Sequence, residues 1–200
     1  MKHLFSLVTF ISFTILYSQT SDQEIKFDDY SIGYSKIGIS FGGKYNENVW
    51  EFKNRNQYIK FTPDDLEKAA VEFENAYNKA VEWDKIADDN DVNELIKEIP
   101  FSFFTTRGMI EDAGYESVGS MEGKFEFQRS TTTGEITSYL TTRVYQHDEY
   151  FVRSAFFRFP GFDVRNSEEV EKFLKFLDFI KNNKSIIEEK LKDSKSNLFN

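Results

Sequence analysis

The chain has 200 residues, among them 34 acidic, 25 basic and no cysteine, and its formal net charge is −9. This length suits one domain with a sizeable core. The acidic balance repels phosphate backbones and argues against a nucleic-acid partner, while the lack of cysteine excludes disulfides and a lipid-attached bacterial signal.

The first residues have the pattern of a secretory signal peptide. Lys2 and His3 form a short basic start, Leu4–Leu16 is apolar apart from isolated hydroxyl residues, and Ser18 is a small residue suited to the position before cleavage. The apolar run is shorter than the ~20 residues that cross a bilayer, so we predict no membrane span. We expect cleavage after residues 1–18, with an uncleaved N-terminal anchor as the alternative. Because exported eukaryotic domains often carry disulfides, we expect a bacterial protein that is secreted or periplasmic.

The chain after the signal begins with strand patterns. In "SIGYSKIGISFGG", Ile37, Ile39 and Phe41 alternate with small or polar residues, which is the period of a strand. The segments "VWEFK" and "QYIKFT" predict two further strands separated by a turn.

A long helix is predicted next, over about Pro63–Ala87. Thr62 can cap it, and Pro63 suits the first helical position. Apolar residues recur at helical spacing and form one buried face: Leu66, Ala70, Phe73, Tyr77 and Ala80.

The acidic stretch "DDNDVNE" raises the question of a calcium site. An EF-hand loop that starts at Asp89 needs glycine at its sixth position and glutamate at its twelfth, but Glu94 and Pro100 stand there. A cap fits better, because Asp91 can accept hydrogen bonds from a helix start and Glu94 can reach back to it. We therefore predict a short helix that ends at Pro100, and no specific calcium site.

Strand patterns return in the second half of the chain. We predict a strand over Pro100–Arg107, a loop over 108–122, a loop at "PGFDVRN", and a last helix over Ser167–Leu191 that "KNNKS" bends or breaks. Three further strands are predicted between the two loops, over about 123–129, 136–145 and 150–159.

These elements predict an α+β fold. We expect an antiparallel sheet of about six or seven strands with two long helices and one short helix. The domain covers residues 19–193, and residues 194–200 are expected to form a flexible tail. Strands followed by a helix occur twice, so two diverged halves and a single unrepeated domain both stay open.

The turns of the second half predict how its strands pair. The turn at "TTTG" pairs Thr131 with Ile136, and the turn at "QHDE" pairs Tyr145 with Tyr150. One face then becomes a core face of alternating aromatic and aliphatic residues, interrupted by Thr142 and, opposite it, Arg153. An arginine there requires either a partner or a place at the rim of the sheet.

The opposite face combines tyrosine and arginine, which suits recognition because both give large contact areas and hydrogen bonds. Ordinary cross-strand aromatic pairing on a half-exposed sheet is the alternative. The candidate ligand-binding residues, with Tyr139 placed across from Phe156, are Tyr139, Arg143, Tyr145, Tyr150, Phe156 and Arg158.

No motif for catalysis, metal binding or phosphate binding is present in the sequence. His147 is the single histidine after the signal, too few for a zinc site, and it has no nucleophile motif beside it. We predict no cofactor, no metal and no catalytic residue. The expected function is a noncatalytic exported binding or accessory module for a protein, peptide or sugar. The alternatives are a small hydrolase that uses carboxylates or His147, and an assembly component that pairs through a sheet edge.

Overall fold

The computed structural model describes residues 25–32, 35–42, 48–54, 57–112, 115–132, 134–147, 152–155 and 159–197. The predicted signal peptide lies outside these residues. Among the helices that are described, none is long and apolar enough to cross a membrane.

One antiparallel sheet of nine strands forms the frame of the described residues. Strands β1 to β8 lie in chain order across the sheet, and β9 pairs with β7 next to β8. The strands are β1 Ile25–Ile32, β2 Ser35–Phe41, β3 Trp50–Asn54, β4 Gln57–Phe61, β5 Leu95–Asp112, β6 Tyr115–Thr132, β7 Glu135–His147, β8 Val152–Ala155 and β9 Gly161–Asp163.

Within the described ranges, three helices accompany the sheet: α1 Pro63–Asp89, α2 Ser167–Lys181 and α3 Asn183–Asn197. Helix α1 confirms its predicted start, because Thr62 Oγ1 accepts a hydrogen bond from the Asp65 backbone N–H at 3.1 Å. The predicted last helix is interrupted at Asn182, so it forms α2 and α3. Helix α3 continues to Asn197 and thus includes part of the segment predicted as a tail.

The core lies between the helices and one face of the sheet, which we call the inner face. Phe73 on α1 has its ring centroid 5.1 Å from that of Phe103 on β5 and 5.2 Å from that of Phe125 on β6. It also lies 5.8 Å from the ring of Phe176 on α2. Because α2 contacts both β1 and β9, the two ends of the sheet bend toward the same helix. The other face of the sheet, the outer face, is therefore the convex one.

The α+β class is confirmed, with an antiparallel sheet and helices packed on it. The sheet has more strands than predicted, because β1 was not anticipated and the segment "PGFDVRN", predicted as a loop, contains β9. A division into two halves is not confirmed, since one continuous sheet runs through both and β4 pairs directly with β5.

The predicted short helix after Asp91 is wrong. The backbone N–H of Val92 donates to the Ala87 carbonyl at 2.9 Å, and the N–H of Asp91 donates to the Asp88 carbonyl. With Asp91 at a φ of 54°, these bonds form a Schellman motif that ends α1. The Asp-x-x-Glu pattern thus terminates one helix instead of starting another, and β5 begins at Leu95.

The predicted loop over residues 108–122 is wrong as well, because it is a strand hairpin. β5 and β6 pair along this segment as far as Asp112 with Tyr115. Two glycines of these strands make room for large neighbours. A methyl group at Gly123 would overlap the ring of Phe103, and one at Gly108 would lie 2.8 Å from the Met121 Cε.

Candidate functional site

The outer face of β5, β6 and β7 holds those predicted binding residues that the structure describes. The register predicted for β6 and β7 is confirmed, because Thr131 pairs with Ile136 and Phe125 with Thr142. Residues alternate accordingly, so that Leu140 and Val144 are fully buried under the helices while Arg143 is exposed. The predicted core face is therefore the inner face, and the predicted binding face is the outer face.

The register predicted for the next hairpin is wrong. Tyr145 pairs with Ser154 and not with Tyr150, and the pairing extends to His147 with Val152. The innermost pair thus lies two residues further along the chain than predicted, and because this shift is even, Tyr145 stays on its predicted face. Tyr139 pairs with Asp163 of β9, and not with Phe156.

Thr142 and Arg153, the two polar interruptions of the predicted core face, are not opposite each other. Arg153 pairs with Gln146, and its side chain lies outside the described residues. The buried hydroxyl of Thr142 lies 2.5 Å from the Phe159 carbonyl oxygen, which satisfies it within the core.

Of the six predicted binding residues, Tyr139, Arg143 and Tyr145 lie together on the outer face of β7. Tyr139 and Tyr145 are partly exposed, and Arg143 is exposed. The remaining three lie outside the described residues: Tyr150, Phe156 and Arg158.

Four cross-strand rows make up this part of the outer face. From one end to the other they are Ile96, Gln128, Tyr139; Glu98, Glu126, Thr141; Ser102, Lys124, Arg143; and Phe104, Glu122, Tyr145. We call this set the outer patch. Its two outermost β5 residues, Ile96 and Phe104, are 65% and 66% exposed, the highest values among the large exposed apolar side chains of the described residues.

These two apolar residues were not predicted as part of the surface. Ile96 lies in the segment predicted as a short helix, and Phe104 lies in a predicted strand whose pairing with its neighbours was not predicted. Once β5 is recognised as a strand, the alternation of its side chains places Ile96 and Phe104 on the outer face, because Ile99 and Phe103 are buried on the inner face.

The two middle rows of the outer patch carry opposite charges. Glu98 lies beside Glu126 in one row, and Lys124 lies beside Arg143 in the next. Ion pairs connect the two rows: Arg143 Nη2 lies 3.1 Å from Glu126 Oε1, and Lys124 Nζ lies 3.6 Å from Glu98 Oε1. These two rows together thus carry no net charge, within a protein that is acidic as a whole.

A second charged group, the ion cluster, lies on the inner face near the end of α1. It consists of Asp84, Asp88, Arg129 and Arg165. Arg129 is 1% exposed, and its Nη1 and Nη2 atoms lie 2.5 Å from Asp84 Oδ1 and 2.5 Å from Asp88 Oδ1. Arg165 Nη1 lies 3.0 Å from Asp88 Oδ1, and the Ser138 hydroxyl donates to Asp84.

The ion cluster has the properties of a structural cross-link. Two carboxylates match two guanidinium groups, and together they join α1 to β6 and to the segment between β9 and α2. Hydrogen bonds from Arg129 and then Arg165 lower the pKa of Asp88 below its ordinary value. The sequence contained the signal for this cluster, because the alternation Phe125, Phe127, Arg129 places an arginine on the core face.

Neighbouring cations lower four carboxyl pKa values below their ordinary range in the described part of the chain. They belong to Asp64, Asp88, Glu168 and Glu171. The side chain of His147, at the end of β7, lies outside the described residues.

The acidic stretch at the end of α1 makes other contacts. Asp88 belongs to the ion cluster, and Glu94 Oε1 accepts a hydrogen bond from the Thr131 backbone N–H at 3.1 Å. No group of three or more potential ligand side chains is placed to hold a metal ion within the part of the chain that the structure describes.

Comparisons of the chain with models of protein families, with curated proteins and with solved structures find no match.

Proposed function

We propose that the protein is exported by the predicted signal peptide and acts as a noncatalytic binding module that uses the outer patch. The supporting observation is the uncovered state of this surface. The described helices pack on the inner face, and the outer patch exposes Ile96 and Phe104 of β5 in the same rows as Tyr139 and Tyr145 of β7. Exposed apolar residues beside tyrosine and arginine are typical of recognition surfaces.

The chemistry of the patch suits a protein, peptide or sugar ligand. Phe104 and Tyr145 belong to one row and offer apolar and aromatic surface. Arg143 and Lys124 in the next row can bind a carboxylate of the ligand, because a guanidinium group forms two parallel hydrogen bonds with such a group.

Binding is tested with the mature protein on arrays of glycans and of synthetic peptides. Arg143→Ala and Tyr145→Ala together should abolish the signals of bound probes, while thermal unfolding stays within about 1 kcal/mol of the parent because both residues lie on an exposed face. Leu174→Ala is the control, since it removes an exposed apolar side chain of α2 far from the patch. Probe binding that survives the double substitution but is lost in the control would contradict the proposal.

Export is tested by mass spectrometry of the N-terminus of the protein expressed in a bacterial host. We expect the mature chain to begin near Gln19 and to appear in the periplasm or the medium. A chain that begins at Met1 and sediments with the membranes would contradict export and would favour the N-terminal anchor.

A further inference from the structure

The order of the four rows in the outer patch is related by an approximate two-fold symmetry. An apolar side chain lies at each end of β5, a row with two carboxylates lies inside one end, and a row with two cations lies inside the other. A half-turn about an axis that runs across the strands, between the two charged rows, exchanges the first row with the fourth and the second with the third. The patch is thus complementary to a rotated copy of itself.

From this arrangement we propose that the outer patch binds a second copy of this chain, face to face, about that two-fold axis. The proposal rests on the proposed function, because it names the partner of the same surface. In the dimer, each strand of the patch lies over the same strand of the second copy and runs in the opposite direction. Such a contact is isologous, as in most homodimers.

The charges provide the first argument for a second copy. The rotation places Glu126 against Lys124 of the second copy, and Lys124 against its Glu126, so every dimer contains this contact twice. Each copy has the two charges on directly neighbouring rows, and Arg143, which pairs with Glu126 within one copy, is 45% exposed. An unrelated partner would have to supply this alternation of signs, whereas a second copy has it.

The exposed apolar residues provide the second argument. Ile96 and Phe104 are 65% and 66% exposed and lie at opposite ends of the patch on the same strand. The rotation that pairs the charges also places Ile96 against Phe104 of the second copy, again twice. Burial of these side chains removes apolar surface from water, which is the main driving force of association. On β7 the same rotation places Tyr139 against Tyr145.

The size of the patch predicts weak association. Three strands about 4.8 Å apart and four outward positions about 6.8 Å apart give, with side chains, roughly 600 Å² a side. This is less than the roughly 800 Å² a side of a typical stable interface, and the convex face limits the contact further. We expect a dissociation constant on the order of tens to hundreds of micromolar.

Sedimentation of the mature protein over a range of concentrations, up to about a millimolar, measures this association. The charge-reversed variants Glu126→Lys and Lys124→Glu each place like charges against one another twice in the dimer. The dissociation constant of each variant should therefore be at least about tenfold higher than that of the parent. A mixture of the two single variants should associate at least as well as the parent, because each then faces the opposite charge in the other.

Restored association in the mixture would indicate the two-fold contact specifically, because mixing would not correct the misfolding of a single variant. Phe104→Ser should also weaken association, while Leu174→Ser, at an exposed apolar residue of α2, should not. A parent that stays monomeric throughout, or a dimer whose strength is the same in all these variants, would overturn the proposal. A monomer whose glycan or peptide binding depends on Arg143 and Tyr145 would overturn only the dimer and leave the proposed function standing.

Discussion

Arg129 Nη1 on β6 lies 2.5 Å from Asp84 Oδ1 on α1, and this pair is the most deeply buried part of the ion cluster. The arginine is 1% exposed, whereas Arg165 and Asp88 reach the surface. A buried charge without its partner is costly, because the interior solvates it poorly. The position of α1 on the sheet therefore depends on Arg129 as well as on apolar packing.

Arg129→Met should lower the free energy of unfolding by about 3 kcal/mol, because it leaves the largely buried carboxylate of Asp84 without its closest cation. Urea unfolding monitored by tryptophan fluorescence measures the change. Arg143→Met is the matched control on the neighbouring strand, and it should change stability by less than about 1 kcal/mol, since its ion pair with Glu126 is exposed. Equal losses in the two variants would mean that the ion cluster does not stabilise the fold.

Stability should fall on acidification in a way that depends on Asp88. Its pKa is lowered from the ordinary value of 3.8 by hydrogen bonds from Arg129 and Arg165. The stabilisation is therefore present above about pH 4 and is lost as the pH falls through the lowered pKa of the folded protein. Asp88→Asn should be less stable than the parent at pH 6, and the two melting temperatures should converge toward pH 2.

Arg165→Gln tests the same contact from the other side. Without Arg165, part of the lowering of the Asp88 pKa is removed, so the difference in stability between pH 6 and pH 2 should be smaller than in the parent. An acid transition that is the same in the parent, in Asp88→Asn and in Arg165→Gln would show that Asp88 contributes nothing to it.

The parts of the fold that local sequence signals determine were predictable. Helix α1 has its cap at Thr62 and its apolar stripe, and the pairing of Thr131 with Ile136 follows from the turn between them. These features depend on residues that are close in the sequence, where periodicity and turn chemistry act directly.

The wrong predictions have two causes: contacts between residues that are distant in the sequence, and a residue that suits two different local structures. The segment from Gly108 to Glu122 contains several glycines, and only the packing of Phe103 over Gly123 and of Met121 beside Gly108 makes this part of the chain a hairpin. Asp91 supports a helix start equally well as a helix end, and the hydrogen bonds back to α1 decide between them. The outer patch was partly predictable, because the residues of β7 follow from its register, whereas Ile96 and Phe104 depend on recognising β5.

The hairpin packing predicts that Gly123 tolerates no side chain. Gly123→Ala should destabilise the protein by about 1–3 kcal/mol, because the added methyl group overlaps the ring of Phe103. Phe103→Leu alone should also destabilise it, by leaving a cavity. The double variant should be more stable than the sum of the two losses predicts, since the smaller leucine makes room for the methyl group. Additive losses in thermal unfolding would mean that the backbone at Gly123 moves away and that the ring contact does not limit this position.

The break between α2 and α3 leads to a final prediction, at Asn183. This side chain is fully buried, its Oδ1 accepts a hydrogen bond from Trp50 Nε1 at 3.1 Å, and its Nδ2 donates to the Ile180 carbonyl at 2.8 Å. Asn183→Ala should cost about 2–4 kcal/mol, because buried polar groups lose their partners. Asn182→Ala is the matched control, since this neighbouring amide is exposed and bonds only within the end of α2, and it should cost about 1 kcal/mol or less.

Asn183→Asp separates loss of hydrogen bonds from burial of charge. Burial raises the pKa of a carboxyl group at this position, so the variant should be least stable at neutral pH and should gain stability relative to Asn183→Ala as the pH falls and the carboxyl is protonated. Urea unfolding at pH 7 and pH 4.5 measures this gain. If the difference between Asn183→Asp and Asn183→Ala is the same at both pH values, water reaches the site, and the contact with Trp50 is not the buried link between β3 and the helix break that its geometry implies.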